Sequence, residues 1–317
     1  MKRVMSLTTK NERTLKNSFE EFIRVKRLQN LAKRTVKNYE KSFRYFTEFI
    51  DENTLCSKIT NNVILSYIEN LQEMHKGISD ISVNTYIREL RVFLYFCMER
   101  GYTQRFKISL VRAVKQPKET YADAELEKLL KKPTIKGSSF AEYRNWVLVC
   151  YLLGTANRRA TVCNVKIGDI DFETHEIWLL EVKNKKPHSI PLSAFLEKTL
   201  REYLIYRKGT ADDYLFCNVY GQKLTEDGLS TCIYKYNISR GVTKTGLHLF
   251  RHTFAKKWIL NRGDPFRLKA ILGHSTMAMV NEYVNMFGKD LQKDFDVFCP
   301  LDSMECIKRS NGHIKMK

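Results

Sequence analysis

Five apolar residues, Val36, Tyr39, Phe43, Phe46 and Ile50, follow one another in steps of three and four, and that spacing constrains the chain more than any other feature. It is the period of a helix with one face against a core, and a strand cannot use it. The same pattern recurs on either side. Before it, "SFEEF" offers a capping box in Ser18 and Glu21, with Phe19, Phe22 and Ile23 opening an apolar face. After it, a third helix is predicted from about Thr60, with Val63, Tyr67, Leu71 and Met74 inward. A fourth opens on Ser82, keeps Val83, Ile87, Leu90, Leu94 and Cys97 on one stripe, and stops at Gly101. Four short helices predict a small all-α domain over 15–110, behind a flexible 1–14.

The outer faces of these helices carry charge of one sign. Lys33, Arg34, Lys37, Lys41 and Arg44 lie opposite the stripe of the second helix, and Asn84, Arg88 and Arg91 do so on the fourth. For one helix this would be an ordinary solvated face. The whole chain, however, has 54 Lys and Arg against 35 Asp and Glu, a net +19 over 317 residues. Such a surplus speaks for a polyanionic partner, nucleic acid before a membrane surface, and these side chains are the candidates for phosphate contacts.

The stretch 111–121, with a proline, several charges and no period, reads as an exposed linker. A second domain over 122–300 is predicted to be mixed α+β and mostly helical. "DAELEKLLKK", "SSFAEYRNWVLVCYLLG", "SAFLEKTLREYLIYRK", "LSTCIYKYNISR" and "HLFRHTFAKKWILNRG" read as helices, and "HEIWLLEVKNKKPHSIPL" as a hairpin. A polar, basic tail occupies 301–317. The fold class expected is therefore mainly α with one small hairpin sheet.

Several chemistries find no support. There is no phosphate-binding glycine loop for a nucleotide, and the eight cysteines include no Cys-x-x-Cys pair, so reduced thiols, no zinc cluster and no cofactor are expected. The N-terminus lacks the apolar core of a signal peptide and no run is long enough to span a bilayer, which predicts a cytoplasmic protein without membrane contact.

Four separated pieces of the second domain carry polar residues that helix and hairpin logic does not require: "GTANRRATVCNVKIGDID", "EVKNKKPHSIPL", "GLHLFRHTFAKKWI" and "ILGHSTMAMVNEYV". Together they resemble the tyrosine recombinase (phage integrase) family. Its pattern is an Arg in a Thr-Gly-x-Arg turn, a hairpin Lys, His-x-x-Arg-His, Leu-Gly-His, and a Tyr nine residues beyond that last His. The matching positions are Arg158, Lys183, His248, Arg251, His274 and Tyr283. Two departures stand out, Ala156 where the family has Gly, and Thr161 where it has an acidic side chain. The resemblance extends over residues 15 to 298. The chain places only about 15 residues before its first helix, which suits a recombinase without a separate arm-binding domain.

The resemblance implies a site-specific recombinase of a mobile element. It would act as a homotetramer on double-stranded DNA with inverted half-sites, through a 3′-phosphotyrosine intermediate and a Holliday junction. The residue types suit that chemistry. Two guanidiniums can hold the non-bridging oxygens, histidines add donors or help deprotonate Tyr283, and Lys183 can protonate the departing 5′ oxygen. Lys185 and Lys186 compete for the hairpin role. Two other functions stay open on the sequence, type IB topoisomerase-like relaxation and a non-catalytic DNA-binding regulator. His248 and His252, at i and i+4, form a zinc pair only weakly, since Leu249 stands where a metalloprotease has Glu; His252 reads as a structural residue holding the helix end. The apolar residues Leu291, Phe295, Val297, Phe298 and Leu301 beyond Tyr283 predict a segment that docks on a neighbouring protomer.

Overall fold

The computed structural model describes residues 13–74, 76–113, 118–134, 137–180 and 187–284. The chain divides into two compact units after residue 116.

The first unit is built from α1 (Leu15–Leu28), α2 (Lys33–Phe49), α3 (Asn61–Met74) and α4 (Asp80–Glu99). Its centre is aromatic. Phe19 and Phe43 stack with ring centroids 3.8 Å apart, and Phe93 meets Phe19 edge-on at 5.2 Å. The first helix starts earlier than the Ser18 capping box predicts. Thr14 caps it by accepting from the Asn17 amide, Leu15 is already fully buried, and Ser18 instead accepts from the Cys56 thiol inside the core. Likewise Ser79 caps α4 three residues before Ser82, and Gly101 follows with φ +73°, the left-handed turn that ends a helix. On α3 Ile64 is buried and Met74 is 73% exposed, so the inward face is turned slightly from the one expected.

The basic faces survive with one correction. Lys33, Arg34, Lys37, Lys41, Arg44 and Arg88 are exposed, and Arg91 is half-buried with its guanidinium 6.0 Å from the Tyr95 ring. Lys41 stands 5.6 Å from the rings of both Tyr45 on α2 and Tyr86 on α4, so the two basic faces adjoin. Asn84 does not belong with them. It is 3% exposed, and its amide brackets the Val111 peptide, Nδ2 donating to the carbonyl at 2.8 Å and Oδ1 accepting from the N–H at 2.9 Å. An irregular segment crosses α4 there, and a primary amide supplies the donor and acceptor its backbone lacks.

The second unit contains α5 (Asp123–Leu130), α6 (Phe140–Thr155), α7 (Arg159–Asn164), β1 (Ile170–Asp171), β2 (Glu176–Leu179), β3 (His188–Pro191), α8 (Ala194–Arg207), α9 (Glu226–Ser239), α10 (Leu247–Leu260), α11 (Pro265–Leu272) and α12 (Ala278–Val284). Helix α6 is buried nearly all round, from Tyr143 to Leu152, and packs against α5, α8, α9 and α10 as the central element. The strands form one antiparallel sheet in the order β1-β2-β3, with Ile177 opposite Ile190 and Leu179 opposite His188. Tyr121, expected at the end of an exposed linker, is 3% exposed; its N–H donates to Thr253 on α10 and its hydroxyl accepts from Asn237 on α9. No helix among the described residues is long and apolar enough to cross a membrane. A small separate cluster of Ala156, Ala255, Leu268, Leu272, Val280 and Tyr283 lies at the meeting of α6, α10, α11 and α12, and the polar constellation is built over it.

Candidate active site

Two helices end at this place in left-handed turns. Helix α6 closes at Ala156 (φ 52°, ψ 24°) and α11 at Gly273 (φ 57°, ψ 45°). An alanine in that conformation costs about 1 kcal/mol or more relative to glycine, so the position is held by its surroundings, and Ala156 is fully buried. Both turns aim carbonyls at arginines. Arg251, buried on α10 beside Phe250, donates through Nη1 to the Ala156 carbonyl at 2.8 Å and through Nη2 to the Leu272 carbonyl at 2.7 Å. Arg158, which caps α7 just beyond the Ala156 turn, donates to the Gly273 carbonyl at 3.4 Å.

Among the described residues neither arginine has a carboxylate partner. Burial, with Arg158 beside it, pushes the Arg251 pKa down to about 10, and burial lowers that of Arg158 as well. Two partly desolvated guanidiniums held by neutral carbonyls remain cations with unspent charge, which is how an anion cradle is made. Arg159 differs from its neighbour. It is tied to Glu226 at 2.7 Å and to Ser230, so it braces α7 on α9.

The imidazoles are equally specific. Arg251 Nη2 lies 2.8 Å from His274 Nε2. A guanidinium can only donate, so Nε2 accepts, His274 is neutral, and its proton sits on Nδ1. That Nδ1 is buried without a partner among the described residues, a donor facing into the site. Burial first, then Arg251 and Arg158, hold the His274 pKa to about 4. His248, one turn before Arg251, keeps an exposed edge, and its pKa is also lowered, by partial burial first and then by Arg251 and Arg159.

Tyr283 is 2% exposed, and burial raises its pKa against the opposing pull of Lys118 and Arg251. Its hydroxyl lies 2.8 Å from Nδ1 of His252, and the His274 ring stacks at 6.4 Å. His252 therefore does not serve the helix end; it faces the tyrosine. Lys118 places its ammonium 5.0 Å from the centre of the Tyr283 ring and pairs with Glu282 at 2.5 Å. Neither Lys118 nor His252 was assigned to the site from the sequence. The i, i+4 spacing of His248 and His252 puts both rings on one face of α10, which is the signal that could have found the second.

Five of the six expected positions, Arg158, His248, Arg251, His274 and Tyr283, converge on this site. Lys183, with Lys185 and Lys186, lies outside the described residues, as does the apolar group from Leu291 to Leu301. The sheet still reaches the site. A Cβ on Gly273 would stand 3.4 Å from the His188 ring of β3 and 3.7 Å from Arg158, so the hairpin, α7 and the α11 turn adjoin. Thr161 is buried on α7. Among the described residues no group of three His, Cys, Asp or Glu is placed to hold a metal ion.

A buried tyrosine beside a cationic cradle and neutral imidazoles defines the class of site that transfers a phosphoryl bond to and from a side-chain hydroxyl. Comparison with known proteins agrees. Residues 120–289 match the phage integrase family and residues 14–111 the phage integrase SAM-like domain. The tyrosine recombinase XerC of Staphylococcus aureus (strain JH9) is 26% identical over 290 residues, covering 88% of this chain and 94% of that protein. In fold, the chain is similar to the Tn1549 transposon integrase in complex with a circular intermediate DNA, with TM-score 0.72, 21% identity, and 86% of this chain and 95% of that one covered. It is also similar to the XerH site-specific recombinase bound to a palindromic difH substrate, with TM-score 0.68, 22% identity, and 88% and 83% covered. The chain belongs to the phage integrase family and is a tyrosine recombinase, an enzyme that breaks and rejoins DNA strands.

Proposed function

We propose that Tyr283 is the nucleophile of a site-specific recombination reaction in which the cradle of Arg158 and Arg251 binds the scissile phosphate. The observation that carries this reading is the pair of carboxylate-free guanidiniums beside a buried tyrosine. A pentavalent phosphorane-like transition state concentrates negative charge on its non-bridging oxygens, and fixed cationic donors stabilise it more than the ground state. The Nδ1–H of His274, buried and without a partner among the described residues, supplies a further donor, and His248 lies one turn before Arg251 on α10. Attack joins Tyr283 Oη to phosphorus and expels the 5′ oxygen, with Lys183 its proton source. The resulting phosphotyrosine conserves the bond for religation, so strand exchange needs no nucleotide.

The exposed basic residues Lys33, Arg34, Lys37, Lys41 and Arg88, with the half-buried Arg91, make the first unit the principal grip on the DNA backbone. By analogy with the XerH and Tn1549 proteins, the substrate is a pair of inverted half-sites on a mobile element. The working form is a homotetramer, with the apolar segment beyond residue 290 docking between protomers. The test is Tyr283→Phe on a supercoiled plasmid carrying paired target sites. The variant binds DNA as the parent does but forms no covalent adduct and rearranges no markers; an adduct formed by the variant refutes the assignment.

A further inference from the structure

Deprotonation of a tyrosine whose pKa is raised by burial needs an acceptor at the hydroxyl itself. Of the three imidazoles around Tyr283, one is positioned for this. His274 is committed, because its Nε2 accepts from Arg251 and its Nδ1 already carries the proton. His248 stands one turn away along α10, its ring centre 6.4 Å from that of His252. Of the three, His252 is the one within hydrogen-bond distance of the hydroxyl, with Nδ1 2.8 Å from Oη; the Lys118 ammonium, which also reaches Oη, can only donate.

We propose that His252 is a catalytic residue, the general base that takes the phenolic proton of Tyr283 during cleavage and returns it during religation. This rests on the reading of Tyr283 as nucleophile. As Oη–P forms, the Oη–H bond breaks toward His252 Nδ1, P–O5′ breaks, and the 5′ oxygen takes a proton from a cationic acid, for which Lys183 is proposed. The reverse step runs the same protons back.

The surroundings set the timing. His252 faces Tyr283 and Glu282 of α12, Lys118 of the segment before α5, and His248 and Arg251 of its own helix. Burial first, then the cations Lys118 and Arg251, hold its pKa to about 4, so the lone pair is free in the DNA-free enzyme. A weak base of this kind leaves the phenol protonated until substrate arrives. A phosphodiester entering the cradle adds a negative charge that offsets those cations and raises the imidazole's proton affinity, while the phenol becomes an aryl ester that no longer competes for the proton. The nucleophile is thereby activated only when its phosphate is in place.

The experiment is single-turnover cleavage of a nicked suicide half-site by the full chain. His252→Gln keeps a hydrogen-bonding side chain but cannot take a proton, and it is expected to slow cleavage and religation by about a hundredfold or more with DNA binding unchanged. Thermal melting checks that the variant is folded; if it is not, His252→Asn serves in its place. Replacing Tyr283 by a ring-fluorinated, more acidic tyrosine should restore most of the rate in the His252→Gln background while altering the parent little. A merely structural histidine would show no such rescue. A rate for His252→Gln within about threefold of the parent, or a defect that the acidic tyrosine does not mend, overturns the proposal. An adduct formed by Tyr283→Phe would instead overturn the nucleophile assignment itself.

Discussion

His274 should remain uncharged in the folded protein down to about pH 4 and should make the second unit acid-labile. The reason is geometric. Its Nε2 accepts from the Arg251 guanidinium at 2.8 Å, so a second ring proton would have to enter the space of a donor already carrying positive charge. With a folded pKa of about 4 against an ordinary 6.5, the difference is about 2.5 units. At about 1.36 kcal/mol per unit, that is about 3 kcal/mol, and at 8% exposure His274 has little solvent to screen it.

The sign follows from proton counts. Between pH 6.5 and 4 the unfolded chain binds a proton at this site and the native one does not, so stability is fully present above pH 6.5 and is lost as pH falls toward 4. All three tryptophans, Trp146, Trp178 and Trp258, belong to the second unit. Fluorescence-detected urea unfolding therefore follows that unit alone. The wild type should lose about 3 kcal/mol more than His274→Gln over this range, since His252 and the carboxylates are common to both and cancel. Histidine-labelled NMR gives the direct value. A His274 ring that titrates near 6.5, or superimposable pH slopes for the two proteins, would refute the reasoning.

Removing either guanidinium by Arg158→Ala or Arg251→Ala should slow single-turnover cleavage by about a hundredfold or more, the usual cost of losing a transition-state donor; a normal rate removes that residue from the site. Asn84→Ala strips both hydrogen bonds from the half-buried Val111 peptide and should destabilise the first unit by about 1 to 3 kcal/mol, measured by circular-dichroism melting, with affinity for DNA per folded molecule unchanged. Arg88→Ala should do the opposite, leaving the melting temperature within a degree or two while reducing the slope of log affinity against log salt by about one. Cleavage should be indifferent to chelators, because a cradle of two guanidiniums with Lys118 nearby repels a divalent cation; loss of the chemical step in EDTA would contradict the cationic reading.

Much of this was legible along the chain. The stripes with steps of three and four became buried helix faces, except that the face of α3 turned so that Ile64 is buried and Met74 exposed, and the step of nine from His274 to Tyr283 led to two rings that stack. What failed to show depended on partners distant in sequence. Asn84 lies next to Val83 on α4, and nothing local reveals that the Val111 peptide crosses there. Lys118 sits in a charged, aperiodic stretch where no pattern marks one lysine over another. The contact of His252 depends on how α12 docks against α10, which only the packing of Val280 and Tyr283 decides. Helix α11 is different: Asp264 caps it and Pro265 occupies its first turn, a readable start signal that the short apolar run after it obscured.

The two left-handed helix ends also shape which mutations can inactivate this enzyme. The atoms that steer Arg158 and Arg251 are the carbonyls of Ala156, Leu272 and Gly273. A carbonyl belongs to every amino acid, so no change of side-chain chemistry at these positions can delete it. Inactivating substitutions there act through backbone shape. At Ala156 a valine or proline cannot hold φ near +52°, whereas glycine keeps the turn and loses only a methyl. At Gly273 any Cβ is strained by the left-handed φ, although it would meet the His188 ring only in ordinary van der Waals contact. A genetic screen for inactive variants should accordingly recover β-branched residues and proline at 156 while polar and apolar small residues survive, with tolerance sorted by torsion angle rather than by polarity.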